Sequence, residues 1–585
     1  MDRAAASPSM ELTSHSEADV SAAERMELTS PSEADIPPNL RGRGRGRARG
    51  RASGRAASSS NHPKPKKTNC KQRRHCKKPK TVSWLEHPSH APDSMEETSV
   101  SEETARIAAA AKRTIAWKGD GEESTSSDEA FTTPAASDTH SLPKSSGVFD
   151  YAIWLLGRLT EEQRQKLTRS FSWMDLCAGL GTPFIAYEAL RRGMLPHGIC
   201  PDGQCKGLTE MSESRRAALR RRARQVDNSP PVYTSNSALT CRTPKDDEGT
   251  FGDLPIADHL FMGIVCVDVS ACTSTPKSLN DASGATGKCW LAFLEYLDLL
   301  RFEERPISIV LECVDKLGHN RNLQGRTEKG TLLVVEALKE RGYVGQWRKV
   351  SATHFFLPQR RPRVWALFLK VRGGVGPKAI RERERDLAQA FDFIQSSQTC
   401  SHESLKRILD RTPPVPHAHR PAKPARGGTL WQTTQGPKFQ SKYGISDEEV
   451  LHGRDEFLKA TTDVLNQRQQ AAVWLELCRL RKKGQIPDWK ASLLVSDCGS
   501  SVGWLSVAKD MFPTLRPGNS YLILEQGKPK LAQGPLCLAL QGIGIVEAEA
   551  FQLLLEEDAL LRQLAGNAFC ANICLVFLVA ALLFA

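Results

Sequence analysis

The sequence opens without an apolar signal-like region, and its sixteen cysteines form no dense, regular framework of the kind that staples small secreted domains. They lie scattered through apolar stretches (Cys177, Cys266, Cys313, Cys570), which predicts reduced thiols in an intracellular protein. The phosphate-gripping Gly-x-x-x-x-Gly-Lys-[Ser/Thr] loop is missing as well. With 40% apolar and 25% charged residues, the chain is neither disordered throughout nor a multi-span membrane protein. A single long apolar run, Ala568–Ala585, is broken only by Asn572. It has the length of a tail anchor, but a motif runs into it, so the expectation is a final core helix and no membrane partner.

Acid is missing where base is densest. Residues 41–80 hold sixteen Lys and Arg and no Asp or Glu, while the 585-residue chain carries a net charge of +13. The protein therefore reads as a near-neutral body with one basic arm, which implies a polyanionic partner or a nuclear-import signal. Nuclear localisation and affinity for DNA, or for RNA through the Arg-Gly segment Arg41–Arg51, are the corresponding expectations. Cys70, His75 and Cys76 sit in this arm without a fourth ligand at suitable spacing, so no metal is expected.

The length allows three or four domains, or one large domain with tails. Residues 1–145 read as a disordered tail containing the basic arm and, from Met10 and Met26, two copies of an acidic near-repeat. Order begins near Phe149, where strand-like and helix-like patterns start to alternate. Phe171–Cys177, Gly207–Met211, His259–Val265, Pro306–Val314 and Arg363–Lys370 read as strands. Pro183–Arg192, an Arg-rich segment after Ser212, Lys288–Glu304 and Thr331–Arg341 read as helices. Such alternation predicts an α/β body with a parallel sheet covered by helices, Rossmann-like in class, over 149–370. Residues 371–530, rich in Pro, Gly, Arg and Gln, break the pattern, with helices expected only near 445–480. The alternating body is expected to return over 531–585.

Five short blocks carry the chemistry. Asp175-Leu176-Cys177-Ala178-Gly179-Leu180-Gly181 joins a strand to a helix by a glycine turn, the geometry that brings backbone amides up to a nucleotide-like ligand. Glu210, followed by Met211, supplies the acid expected at the end of the next strand. Cys266 follows an apolar strand and should project from the sheet's carboxyl edge. Glu312 is a carboxylate within an apolar stretch, costly unless paired or functional. Gln359-Arg360-Arg361-Pro362-Arg363 and Gly566-Asn567-Ala568 complete the set. Singly each has a bland reading: a buried thiol, a satisfied carboxylate, a solvated charge run.

In order and spacing the blocks resemble the DNA (cytosine-5) methyltransferase family over about Phe171–Lys370 and 531–580. The resemblance implies a Rossmann-like methyltransferase fold, S-adenosylmethionine as cofactor, and a target-recognition domain at 371–530. It also implies cofactor contacts from Asp175, Cys177, Ala178, Gly179, Gly181, Glu210, Met211, Asn567 and Ala568, and catalytic roles for Cys266, Glu312, Arg361 and Arg363. Cys266 would attack C6 of a flipped-out cytosine, Glu312 would contact N3, and Arg363 would hold base or phosphate and lower the thiol pKa. Val265 and Val267 stand where the family has Pro and Gln around the nucleophile, Cys313 where it has Asn, Cys177 where it has an aromatic residue, and Asn236 where it has an acid. These departures keep open a catalytically weak or inactive DNA-binding relative. An RNA cytosine-5 methyltransferase is the other alternative.

Overall fold

The computed structural model describes residues 142–225, 229–270, 273, 276–323, 326–372, 376–414, 435–486, 488–500 and 505–585. The acidic near-repeat, the basic arm and the Cys70, His75 and Cys76 group lie outside them. The described residues belong to one unit, Ser126–Ala585.

Among the described residues, seven strands form one sheet in the order β3-β2-β1-β4-β5-β9-β8. Strands β1 (Phe171–Leu176), β2 (Gly203–Thr209), β3 (Val232–Tyr233), β4 (His259–Gly263) and β5 (Ser308–Val314) are parallel. A two-stranded ribbon, β6 (Asn320–Leu323) with β7 (Arg326–Lys329), follows. Then β8 (Tyr343–Ser351) and β9 (Pro362–Lys370) close the sheet antiparallel to their neighbours. The sheet is thus mostly parallel, as the alternation predicts, with an antiparallel pair at one edge. The chain turns directly from β8 into β9 without a crossover helix, and an antiparallel pair needs none.

The central strands are apolar on both faces because helices cover both. Trp173, Met174 and Leu176 of β1 and Ile309, Val310 and Leu311 of β5 are buried. One face is packed by α1 (Val148–Gly157) and α2 (Thr182–Met194), with α10 (Ala571–Phe584) against them. Helix α3 (Glu213–Ala223) connects β2 to β3. The opposite face is packed by α4 (Ala285–Leu299) and α5 (Gly330–Lys339). The predicted apolar stripe of α4 (Trp290, Phe293, Leu294, Leu297) is buried there.

The segment after the sheet is more regular than its composition suggests. A 20-residue helix, α6 (Pro377–Ser396), opens it, burying Leu387, Ala390, Phe391 and Ile394 at helical spacing. Further on, α7 (Gln467–Lys482) and shorter helices pack against a four-stranded sheet, β11-β10-β12-β13. Its strands are β10 (Leu494–Asp497), β11 (Val507–Lys509), β12 (Tyr521–Glu525) and β13 (Lys528–Leu531), paired antiparallel. In that second core Phe457 packs at a tilt on Trp474 and edge-to-face with Trp489.

Beyond Leu531 the described residues form helices, not renewed alternation: α8 (Gly534–Ala539), α9 (Asp558–Asn567) and α10 among them. Helix α10 packs against α2 and α6, and Asn572 within it is buried, donating to the carbonyls of Ser146 and Phe355. The described residues contain no single helix long and apolar enough to cross a membrane, although α9 and α10, bent by 44°, pass that test as a pair.

Candidate active site

Strand order reverses between β1 and β4, and in such sheets the crevice at the reversal, beyond the strands' carboxyl ends, is where ligands bind. The glycine turn after β1 and the cysteine after β4 both stand at this edge.

The turn is held open by backbone conformation. Cys177 (φ 58°), Gly179 (φ 54°) and Gly181 (φ 74°) are all left-handed, so the chain folds tightly over the end of β1 before Gly181 caps α2. Thr209 fixes the turn from β2: its Oγ1 accepts from Cys177 N (2.8 Å), and its carbonyl accepts from Ala178 N (2.7 Å). Glu210 accepts from Gly179 N (3.0 Å) and Ser212 N (2.8 Å) and lies 3.4 Å from Arg215 Nη1. Both carboxyl oxygens of Asp175 are buried and without a partner. Burial, and then the nearby charge of Glu210, push its pKa well above the ordinary carboxylate range.

Beside the turn, Asn236 accepts from Thr209 Oγ1 (2.6 Å) and donates to the carbonyl and sulfur of Cys289. Cys177 Sγ lies 3.1 Å from Cys289 Sγ. Contact with the Cys289 thiol, and then burial, hold the Cys177 thiol well above its usual pKa. The Met211 side chain is exposed, and its carbonyl accepts from Arg216 (2.6 Å).

Cys266 opens a one-turn loop. Its carbonyl accepts from Val269 N and Ser270 N, and Asp268 anchors the loop to α4 by accepting from Thr286 N (2.7 Å). The half-buried thiol therefore sits on a fixed turn, followed by the exposed Val267. Glu312 lies in the neighbouring strand; its carbonyl accepts from Ile264 N, and in register it faces Gly263. Across the sheet, Arg363 Nε stands 3.1 Å from Glu312 Oε1. Burial raises the Glu312 carboxyl despite the pull of Arg363 and Arg361. The Cys266 thiol is also raised, by burial first and then by Glu312, with Arg363 and Arg361 opposing. Thiol, carboxyl and guanidinium thus form one electrostatic group.

Arg361 has a different place. Burial, and then the neighbouring charge of Arg363, lower its pKa to about 10, and its guanidinium donates to the carbonyls of Leu515, Gly566 and Ala568. It braces the 512–516 segment against the end of α9, so here it is a positioning residue. Gln359 is likewise buried, 3.4 Å from Gln541. The brace holds Asn567 near the glycine turn: a Cβ on Gly179 would lie 3.7 Å from the Asn567 carbonyl, and one on Gly263 would lie 3.1 Å from Phe569 Cε1.

The structure thus gathers the predicted residues into two adjoining sets. Asp175 to Gly181, Glu210 and Asn567 surround the turn, while Cys266, Glu312 and Arg363 stand beside it; a Cβ on Gly263 would be 3.8 Å from the Cys177 carbonyl. Thr209, Cys289 and the Asp268–Thr286 anchor were not anticipated, because each matters only through a contact distant in sequence. Among the described residues no cluster of His, Cys, Asp and Glu has a metal-binding arrangement.

Residues 231–443 match the family model for C-5 cytosine-specific DNA methylase. No curated protein matches. The chain is similar to solved structures of a Spodoptera frugiperda DNMT2 mutant (10% identity, TM-score 0.34, 71% of this chain and 100% of that one) and of S. pombe Dnmt2 methyltransferase (11%, 0.35, 71% and 98%). It is also similar to a putative DNA modification methyltransferase of an E. coli prophage (13%, 0.37, 70% and 98%).

Proposed function

We propose that this chain, whose residues 231–443 match the family model for C-5 cytosine-specific DNA methylase, is a methyltransferase that modifies C5 of a flipped-out DNA cytosine through a covalent adduct at Cys266. The observation that carries this reading is the grouping of the Cys266 thiol, the Glu312 carboxyl and the Arg363 guanidinium beside a glycine turn at the sheet's switch point.

The turn suits S-adenosylmethionine as the donor. The unpartnered carboxyl of Asp175 is complementary to a cationic ligand, and Glu210, Gly179, Ala178 and Asn567 frame the same turn. When bound, that cofactor supplies the methyl group.

Cytosine C5 is a weak nucleophile, and thiolate addition at C6 makes it enamine-like. Cys266 forms the S–C6 bond after losing its proton, with Arg363 and Arg361 favouring the thiolate. Glu312, raised toward its protonated form, donates to N3 and spreads the ring charge. A protonated Glu312 also removes the repulsion that raises the thiol. After methylation, loss of the C5 proton to a base and breakage of the S–C6 bond restore the ring and Cys266.

The target atoms are shielded within a duplex, so the base must leave the stack. We assign duplex gripping to the 371–530 segment, and assign to the 41–80 arm non-specific phosphate affinity and nuclear import. A second reading, DNA binding with little turnover, draws on the raised Cys266 thiol and on Val265, which stands in place of a rigid proline.

An oligodeoxynucleotide bearing 5-fluorocytosine tests the mechanism, because fluorine blocks the final elimination. With S-adenosylmethionine the wild type should form a denaturation-resistant adduct and Cys266→Ser should not. No adduct on DNA would refute the catalytic reading, and adduct on the matching RNA alone would reassign the substrate.

A further inference from the structure

Arg222 is the penultimate residue of α3, only 5% exposed, and both its Nη atoms are buried without a partner. Burial of a guanidinium without an acceptor is costly, and here it lowers the pKa to about 10, with the neighbouring Arg221 adding to the effect. Glu556, the acid that acts on Arg222, is already engaged by Arg221.

The position of this cation makes its isolation more costly. A Cβ on Gly181 would lie 3.8 Å from Arg222 Nη1, and Gly181 is the N-cap of the 13-residue α2. A helix N-terminus carries partial positive charge and free N–H groups, so the guanidinium faces a second positive pole. The next residue, Thr182, has a buried hydroxyl that is also unpartnered. Three orphaned side-chain donor atoms thus flank one helix start, and together they lack only an anion.

We propose that Arg222, the Thr182 hydroxyl and the first turn of α2 form a subsite that recognises the carboxylate of the methyl donor's amino-acid end. This deepens the functional reading above and rests on it. Asp175, whose buried carboxyl oxygens have no partner beside the same turn, then accepts from the donor's ammonium, and that cation favours its ionised form when the ligand is bound.

The test uses the full-length protein and two sulfonium ligands that differ by the carboxylate, S-adenosylmethionine and its decarboxylated form, titrated calorimetrically. Wild type should prefer the carboxylated ligand. Arg222→Met should weaken S-adenosylmethionine binding by about tenfold or more and leave the decarboxylated ligand within twofold, since a charge-assisted hydrogen bond is lost only with the former. Arg222→Lys should retain part of the preference. Ligand-free Arg222→Met should melt no lower than wild type, because it removes an unpaired buried charge; a merely structural arginine predicts a lower melting temperature and equal losses for both ligands. Equal losses, or full S-adenosylmethionine affinity in Arg222→Met, would overturn the subsite while leaving the donor reading intact. Failure of the wild type to bind either ligand would overturn the donor reading and the subsite with it.

Discussion

Replacing Arg363 by methionine isolates the electrostatic group at the centre of the site. The Arg363 and Glu312 side chains are 13% and 12% exposed, and their charged atoms are 3.1 Å apart. At an effective dielectric near 20, unit charges about 4 Å apart attract by about 4 kcal/mol. Stranding one partner of a buried pair costs about 3–5 kcal/mol. Arg361 still acts on Glu312, so the lower end of that range, about 3 kcal/mol, is the expected loss in Arg363→Met at pH 8.

The loss should depend on pH. The folded Glu312 carboxyl already lies above its ordinary range, so the native state binds the extra proton. Its burial therefore costs nothing below the unfolded pKa, and the cost grows as pH rises through the folded one. Without Arg363 the folded pKa rises further, so the variant's deficit should be small near pH 4 and reach its full size by pH 8. Urea unfolding followed by tryptophan fluorescence at both pH values measures this, with Glu312→Gln added to the same background. The double variant should recover most of the loss at pH 8. Equal deficits at the two pH values, or no recovery, would refute the claim that this pair sets the charge balance of the site.

Other outcomes follow from named contacts. His259 is buried with Nδ1 2.7 Å from Ser308 Oγ, and burial lowers its pKa to about 4. Its contribution is complete above the unfolded value near 6.5 and is lost as pH falls toward 4, at most about 3 kcal/mol; His259→Gln should flatten the stability slope across that window in thermal melts. A Cβ on Gly566 would lie 2.5 Å from Pro517 N, which is backbone and cannot yield cheaply. Gly566→Ala should therefore destabilise by about 1–3 kcal/mol in chemical denaturation, and should loosen the carbonyls that Arg361 holds. Deleting residues 41–80 should shallow the salt dependence of DNA binding, read as the slope of log affinity against log salt. An unchanged slope would limit the arm to import.

The sheet's central strands were legible because each is an apolar run ending in a chemically distinctive residue, as β4 ends before Cys266 and β5 carries Glu312. Boundaries shifted where local polarity misled. Strand β2 begins at Gly203, not Gly207, since half-buried Gln204 and Lys206 lie outside the apolar run. The edge strand β8 is hidden in the sequence for the same reason: Gln346, Arg348 and Lys349 interrupt it, and partial exposure tolerates them. In α6, the charged run from Arg381 to Asp386 concealed a buried stripe. Arg361 and Arg363 are two residues apart and alike in composition, yet one braces backbone carbonyls and the other pairs with Glu312. Arg363 lies within β9, opposite Val314 of β5, whereas Arg361 precedes the strand and turns to the carbonyls of Leu515, Gly566 and Ala568. Nor could an arginine-rich helix reveal that Arg222 alone points inward without an acceptor.

Helix α10 has a consequence for how the polypeptide reaches this state. Asn572 bonds to the backbone of Ser146 across a separation of 426 residues, and the same helix covers α1 and α2. The first strand and its two helices therefore cannot bury their shared surface until nearly the whole described chain has been made. Contacts of such long range slow folding and leave apolar surface open in the meantime. We expect the nascent chain to rely on chaperones, and variants in α10 to accumulate as aggregates before they show any defect in the purified protein.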